Sequence, residues 1–240
     1  MTSFVTADPA LIADLVDANH ILYKQGVVDG FGHVSARHPE NPGRFLIARS
    51  MAPALVTAAD IVELDLDGNP VVAGAPASYL ERFIHGEIFR VRPDVMAVVH
   101  SHSPGVIPFG LVKGVQLRPV SHMGGFIGTG APIYEIRDAG GPATDMLVRT
   151  PELGVALAKS LGPYSIVLMR GHGSTVVGFS VRQAVYRAIY AESNARLQVE
   201  ALRLGEPIYL TPEEAAGAAR ANDQNMDRAW NLWVRAVRGE

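Results

Sequence analysis

Short apolar runs separated by turn residues constrain the fold of this 240-residue chain more than any other feature. Residues 96–100 and 165–169 are almost wholly apolar, which predicts strands buried on both faces of a sheet. Shorter runs predict four further strands, at 33–37, 44–48, 61–66 and 174–177. The Asp67-Gly68 pair predicts a tight turn that returns the chain as a strand over 69–72.

Helices are predicted at both ends of the chain and between the strands. Asp8 followed by Pro9 is typical of a helix start, and Gly26 ends that helix. Apolar spacing and end signals predict four more helices, the first two at 79–92 and 151–161. A long helix starts at a capping box formed by Ser180 and Gln183 and ends at Gly205. The last helix starts at Thr211-Pro212 and carries Trp230 and Trp233. We therefore expect residues 1–240 to form one three-layer α/β domain with a mixed, mostly antiparallel central sheet.

The composition limits both the compartment and the ligands of the protein. Hydrophobic residues make up 48% of the chain, but no apolar run approaches the ~20 residues of a membrane helix, and no lysine or arginine precedes Lys24. We therefore expect a cytoplasmic protein without a membrane partner. The net charge of −3 provides no positive field for nucleic acid. The chain has no cysteine and eight histidines, so a bound metal would be held by histidine and carboxylate.

Histidines follow both of the long apolar runs. His100 and His102 can project to the same face at the end of a strand, where two imidazoles could bind one metal ion. The alternative is that they are two unrelated polar residues at a strand end. His172 lies between two glycines that leave its imidazole uncovered, although a turn histidine explains that pattern equally simply. Glu81 and His85 are four residues apart on a predicted helix, the spacing of an ordinary same-face pair.

The order of several motifs resembles the class II aldolase/adducin family over nearly the whole chain. Gly-His-Val-Ser-Ala-Arg at 32–37 is similar to the family's Gly-Asn-x-Ser-x-Arg strand, and Phe-Leu-Ile-Ala-Arg-Ser at 45–50 is similar to its Leu-Ile-Thr-Pro-Ser-Gly stretch. The most diagnostic segment of the family is matched at almost every position. It comprises residues 81–85 and then Arg-Pro-Asp-Val-Met-Ala-Val-Val-His-Ser-His-Ser at 92–103. Met-Arg-Gly-His-Gly at 169–173 matches the later His-Gly turn.

The resemblance implies a fold, a cofactor and an assembly. It implies a three-layer α/β/α class II aldolase-like fold with one divalent metal ion per subunit, which three imidazoles would suit as Mn, Zn, Fe or Co. It implies His100, His102 and His172 as metal ligands and Glu81 as the catalytic acid/base. It also implies a homotetramer whose active sites lie at subunit interfaces.

Departures from the aldolase pattern bear on the substrate. The family's sugar-phosphate aldolases hold phosphate with small residues and backbone N–H groups, whereas this chain has His33, Met51 and Tyr79-Leu80 at those positions. A sugar phosphate is therefore disfavoured. Together with the segments 79–86 and 121–125, these residues resemble the family's decarboxylase branch, which includes enzymes for hydroxymethylpyridine dicarboxylate and dihydroxyphthalate.

We therefore expect a metal-dependent carbon–carbon lyase of aromatic compound catabolism, a decarboxylase of a hydroxy-substituted aromatic or pyridine dicarboxylate. Glu81 or His85 would protonate the ring carbon, which requires a raised carboxyl pKa if Glu81 is the acid. Candidate substrate-binding residues are His33, Arg49, Ser50, Arg82 and His122. A solvated position for either arginine and a structural role for His122 stay open as alternatives.

Two other functions stay open. A class II aldolase that cleaves a non-phosphorylated hydroxy-aldehyde or hydroxy-acid would use the same charge stabilisation by the metal. A non-catalytic adducin-like structural module belongs to a different class of protein. Such modules typically lack metal histidines, whereas this chain has a histidine at 100, 102 and 172.

Overall fold

The computed structural model describes residues 7–240, and seven strands in that range form one sheet. The strands are β1 (His33–Arg37), β2 (Arg44–Ala48), β3 (Ile61–Asp65), β4 (Ala97–Ser101), β5 (Ile133–Tyr134), β6 (Ile166–Met169) and β7 (Gly173–Gly178). Their order in the sheet is β3-β2-β1-β4-β7-β6-β5. All neighbours are antiparallel except β5 and β6, which are parallel. The predicted mixed, mostly antiparallel sheet is confirmed.

Helices cover both faces of the sheet. They are α1 (Pro9–Lys24), α2 (Arg82–Val91), α3 (Arg137–Gly140), α4 (Pro151–Leu161), α5 (Val181–Leu204), α6 (Pro212–Asp223) and α7 (Met226–Arg238). Val99 of β4 packs in a core with α1, α5 and α7, whereas its neighbour Val98 packs in a second core with α2 and α4. This alternation confirms the three-layer α/β/α architecture. No helix among the described residues is long and apolar enough to cross a membrane.

Strand β4 lies at the middle of the sheet, between β1 and β7. Its residues are buried on both faces, as the apolar run predicts. His33 of β1 pairs directly with His100 of β4, and Ser101 of β4 pairs with Ser174 of β7. This register places the polar ends of three strands beside one another.

The predicted return strand at 69–72 is wrong. The turn forms, with Gly68 at a φ of +79°, but only one isolated bridge, between Leu64 and Pro70, follows it. A second turn, in which the Ala75 N–H donates to the Val72 carbonyl, then takes the chain away from the sheet edge. The ladder therefore stops after one pair.

Three helix predictions also need correction. The helix predicted over 79–92 begins only at Arg82, because Glu81 has a non-helical backbone with φ −89° and ψ 19°. The last predicted helix is two helices, α6 and α7, interrupted at Asn225, whose side chain donates to the Ala221 carbonyl. Only half of the predicted capping box forms at the start of α5, since the Gln183 side chain accepts from the backbone of residue 179 instead of that of residue 180.

Candidate active site

Three histidines meet at the centre of one edge of the sheet. His100 lies in β4, His102 follows that strand directly, and His172 lies in the turn between β6 and β7. Nε2 of His102 is 3.2 Å from Nε2 of His100 and 2.9 Å from Nε2 of His172. The structure therefore brings together the three residues that the sequence indicates as metal ligands.

The turn between β6 and β7 holds His172 against the end of β4. Gly171 has a φ of +66°, a conformation that favours glycine. A side-chain carbon on Gly173 would overlap the carbonyl oxygen of Ser101. Glycine at 173 therefore lets β7 approach the strand that ends in the other two histidines.

Glu81 approaches the same point from the start of α2. Its Oε2 lies 3.5 Å from Nε2 of both His100 and His172. Its Oε1 accepts a hydrogen bond of 2.9 Å from the Val148 N–H. The carboxylate is buried, and this backbone donor orients it toward the histidines.

The charges in this cluster follow from burial and from the neighbouring imidazoles. Burial alone raises the pKa of Glu81, but His100, His172 and the Val148 N–H outweigh burial and lower that pKa to about 2. Burial, helped by His100, lowers the pKa of His102 and brings the pKa of His172 down to about 4. The raised carboxyl pKa expected for Glu81 is therefore corrected: the pKa of this carboxyl is lowered, and the group is an ionised carboxylate.

This donor set fits a divalent metal ion. One ligand atom from each of Glu81, His100, His102 and His172 lies within 4.8 Å of all the others. Neutral imidazole nitrogens and a carboxylate oxygen are ligands that Zn²⁺ and other first-row divalent ions bind. These four residues can hold such an ion.

A cavity of about 360 Å³ opens beside the cluster, and Glu81 and His102 form part of its wall. Much of the remaining wall is apolar or aromatic, with Phe31, Met51, Tyr79, Leu80 and Leu147. Phe31 and Leu80 are 70% and 60% exposed, so they form an apolar rim. The volume and lining suit a small ring compound.

The residues predicted to bind substrate separate into two groups in the structure. His33 and Ser50 line the cavity beside Glu81 and His102. His122 lines a different cavity, of about 510 Å³, whose other walls come mostly from α5, α6 and α7. None of the four ligand residues borders that second cavity.

The two predicted arginines have partners outside the cavity. Nε of Arg49 donates to Oδ1 of Asp60 at 2.6 Å. Arg82 donates to the carbonyl oxygens of Gly68 and Tyr79. Within residues 7–240 no arginine lines this cavity, so the expected carboxylate forks are not formed by this single chain.

His85 lies behind the cavity wall. It is fully buried, with Nε2 2.6 Å from Nδ1 of His33 and Nδ1 2.6 Å from Oγ of Ser35. Burial, with a further contribution from His100, lowers the pKa of His85 to about 3. Because Glu81 precedes α2, it does not share a helix face with His85, and the structure does not place His85 among the metal ligands.

Three parts of this site are not predicted from the sequence: the Phe31 and Leu147 side chains and the N–H of Val148. Phe31 directly precedes the Gly-His motif, and that position is its one sequence signal. Residues 147 and 148 belong to no recognisable motif. The hydrogen bond from Val148 to Glu81 spans 67 residues and becomes visible only in the folded chain.

Comparison with known proteins agrees with this geometry. Residues 13–199 match the family model for the class II aldolase and adducin N-terminal domain. Decarboxylase tropJ of Talaromyces stipitatus is 38% identical over 249 residues, which cover 94% of this chain and 93% of tropJ. The 3,4-dihydroxyphthalate decarboxylase of Arthrobacter keyseri is 34% identical over 211 residues, which cover 82% of this chain and 80% of that enzyme.

A solved structure shows the same fold. The crystal structure of an aldolase II superfamily protein from Pseudomonas syringae has a TM-score of 0.78 and 24% sequence identity to this chain, and the match covers 97% of this chain and 94% of that one. The match to the family model, over residues 13–199, covers well over half of this chain. The chain therefore belongs to the class II aldolase and adducin family.

Proposed function

We propose that this protein is a metal-dependent decarboxylase of a hydroxy-substituted aromatic or pyridine dicarboxylate. The main support is the convergence of Glu81, His100, His102 and His172 beside a largely apolar cavity. Relatives that are 38% and 34% identical are named as decarboxylases, and one of those names specifies 3,4-dihydroxyphthalate. The names of these relatives favour a carboxy-lyase over an aldehyde-lyase.

The charge of the site determines which proton transfer comes first. A bound divalent ion supplies a Lewis acid that stabilises negative charge on a ring hydroxyl and its adjacent carboxylate. Glu81 is ionised, with a pKa of about 2, so it acts first as a base and accepts the proton of the ring hydroxyl when substrate binds. His102 and His172 stay neutral and keep their lone pairs for the metal.

The same proton then completes the reaction. When the bond between the ring carbon and CO₂ breaks, its electron pair stays with the ring, and Glu81 returns the proton to that carbon. The product leaves as a phenolate and takes one proton from water, so one proton is consumed for each CO₂ released. Glu81 ends each cycle as the carboxylate with which it began.

The cavity wall supports an aromatic substrate. Met51, Tyr79 and Leu80 provide an apolar surface against which a flat ring can pack. Because Arg49 and Arg82 are engaged elsewhere, we infer that a second substrate carboxylate meets groups from a neighbouring copy. A homotetramer with active sites at its interfaces would supply them, and light scattering coupled to size-exclusion chromatography tests that assembly.

A class II aldolase for a non-phosphorylated hydroxy-aldehyde or hydroxy-acid is the second candidate. The polar residues His33 and Ser50 in the wall favour a hydroxylated substrate as much as an aromatic one. The same four ligands would also stabilise an enediolate. A purely structural adducin-like role has no use for four convergent ligands, which disfavours it.

A substrate panel separates these candidates. The Mn²⁺-loaded protein is assayed for CO₂ release from 3,4-dihydroxyphthalate and from other ortho-hydroxy aromatic and pyridine dicarboxylates, with products identified by mass spectrometry. We expect CO₂ and the matching monocarboxylate. Cleavage of a hydroxy-aldehyde or hydroxy-acid without any CO₂ release would favour the aldolase instead.

Metal analysis provides the matched control. The His100→Ala/His102→Ala double variant should lose both metal and turnover. His20→Ala should retain both, because His20 bonds to the Val56 carbonyl away from the cluster. Unchanged metal content in the double variant would overturn the enzymatic assignment.

A further inference from the structure

A chain of three polar side chains runs from the interior of the protein to the cavity. Oγ of Ser35 lies 2.6 Å from Nδ1 of His85, and Nε2 of His85 lies 2.6 Å from Nδ1 of His33. Ser35 and His85 are fully buried, and His33 is one of the residues that line the cavity. Nε2 of His33 is therefore the ring nitrogen that this chain leaves available to a ligand.

Counting donors assigns the hydrogens along this chain. The Ser35 hydroxyl has one hydrogen, and among the described residues its side chain bonds only to Nδ1 of His85. A buried hydroxyl hydrogen without an acceptor is costly, so Ser35 donates to that nitrogen. His85 then carries its own hydrogen on Nε2 and donates to Nδ1 of His33. His33 in turn carries its hydrogen on Nε2.

The opposite direction fails the same count. If His33 donated to His85 and His85 donated to Ser35, the hydroxyl hydrogen of Ser35 would be buried without a partner in the described chain. With Ser35 as the donor, the count leaves one hydrogen on each ring, on Nε2 of His85 and on Nε2 of His33.

We propose that the Ser35–His85–His33 chain fixes the Nε2–H tautomer of His33, and that His33 donates this hydrogen to an anionic oxygen of the substrate. Ser35 and His85 are positioning residues, and His33 is a substrate-binding residue. The substrate part of this inference rests on the proposed function.

The surroundings of His33 support that role. Its ring lies 4.6 Å from the Tyr79 ring and 5.0 Å from the His100 ring, so the donor stands between the aromatic wall and the metal ligands. A hydrogen bond to an ionised oxygen is strong in such a secluded place. No arginine of the described chain lines the cavity, and His33 supplies a donor for a carboxylate or phenolate there.

Nuclear magnetic resonance tests the tautomer without any turnover. Protein labelled with ¹⁵N-histidine and loaded with diamagnetic Zn²⁺ should show a directly bonded hydrogen on Nε2 of His33 and none on Nδ1. Ser35→Ala should produce a mixture of the two tautomers. A wild-type His33 that is protonated on Nδ1 would overturn the assignment.

A double-mutant cycle tests the consequence for binding. Ser35→Ala should raise KM roughly tenfold or more, with a smaller change in kcat, because a bond to a charged oxygen is weakened. His33→Asn offers an amide N–H that needs no relay, so Ser35→Ala should have little further effect in that background. If Ser35 were purely structural, Ser35→Ala would raise KM by the same factor in both backgrounds, and that result would overturn the relay.

Two controls keep the outcomes separate. Ser160→Ala removes a hydroxyl that bonds to the Ala156 carbonyl on α4, and it should leave KM unchanged. Absence of CO₂ release across the panel, with the expected tautomer present, would remove the proposed function and with it the substrate role of His33. CO₂ release with the wrong tautomer would instead remove the relay and leave the function standing.

Discussion

Nε2 of His102 lies 2.9 Å from Nε2 of His172, although 70 residues separate the two histidines along the chain. The antiparallel pairing of β4 with β7 produces this contact, since Ser101 pairs with Ser174. Each histidine alone would be an ordinary residue at a strand end. Their shared position next to a buried carboxylate is what makes the site chemically capable.

Glu81→Gln should keep the metal and lose turnover. The amide oxygen can still accept from the Val148 N–H, and the three histidines remain, but an amide neither takes nor returns a proton. We expect kcat to fall roughly 10²- to 10⁴-fold, measured by CO₂ release, with metal content near that of the wild type by mass spectrometry. Glu152→Gln, at an exposed position of α4, is the control. A kcat close to the wild-type value would remove Glu81 as the proton carrier.

The metal-free protein should lose stability as the pH falls below the ordinary imidazole pKa of 6.5. His85 and His172 have folded-state pKa values of about 3 and about 4, so between 6.5 and 4 the unfolded chain binds more protons than the folded one. The free energy of unfolding therefore decreases as the pH is lowered through this window. Glu81, whose pKa is lowered from 4.5 to about 2, contributes stability above pH 4.5 that is lost as the pH approaches 2.

Thermal unfolding of chelator-treated protein checks this pH dependence. Tm should decline steadily from neutral pH toward pH 4, and the decline should be shallower in His172→Asn, which removes one titrating group. A Tm that stays constant over the whole window would contradict the lowered histidine pKa values.

Glu192→Ala should loosen the loop that follows His102. The buried Glu192 carboxylate accepts from the Ser103 hydroxyl at 2.5 Å, from the Gly105 N–H at 2.8 Å and from Nε of Arg196 at 2.5 Å. Its removal leaves buried donors unpaired, which should lower the free energy of unfolding by about 2–4 kcal/mol in urea denaturation. Zn²⁺ titration should show weaker binding, because the neighbouring ligand His102 is less well held.

Glu200→Ala on the same helix is the comparison for that variant. Glu200 pairs with Arg203, and both side chains are largely exposed. The change in unfolding free energy should stay within about 0.5 kcal/mol. Equal losses in the two variants would show that the buried carboxylate does not anchor the loop.

Gly173→Ala should push β7 away from β4 and weaken metal binding. The added carbon would overlap the backbone oxygen of Ser101, which a strand cannot move without breaking its pairing. Overpacking of this kind should lower the free energy of unfolding by about 1–3 kcal/mol. Both unfolding and Zn²⁺ binding are measured.

Gly217→Ala makes the same chemical change as Gly173→Ala but should have the opposite effect on the free energy of unfolding. The residue lies inside α6, where the added carbon would meet no neighbour closer than 4.0 Å. Replacing a helical glycine should raise the free energy of unfolding by about 0.5–1 kcal/mol and leave metal binding unchanged. Destabilisation here, or none at Gly173, would contradict the packing described.

Much of the fold could be predicted because the relevant signals are local. The first two strands and the helix at 151–161 have the predicted bounds, since alternation, apolar runs and caps act over a few residues. The strand predicted at 69–72 failed because a second turn, closed between Val72 and Ala75, ends the pairing. The last helix divided at Asn225, where a side chain competes with the backbone.

The site was predictable to a smaller extent. His100, His102, His172 and Glu81 belong to recognisable motifs, and the structure brings all four together. Arg49 was expected in the cavity, but a long side chain can reach several partners. Its true partner is a carboxylate eleven residues away.

Local signals in the sequence predict six of the seven strands, the family that the motifs resemble, and a metal site without cysteine. The partner of each polar side chain is visible only in the folded chain. The register of β1 against β4 places His33 beside His100, and the start of α2 at Arg82 directs Glu81 to His100 and His172 and His85 to Ser35. Such pairings depend on distances between segments far apart in the chain, which local propensities do not specify.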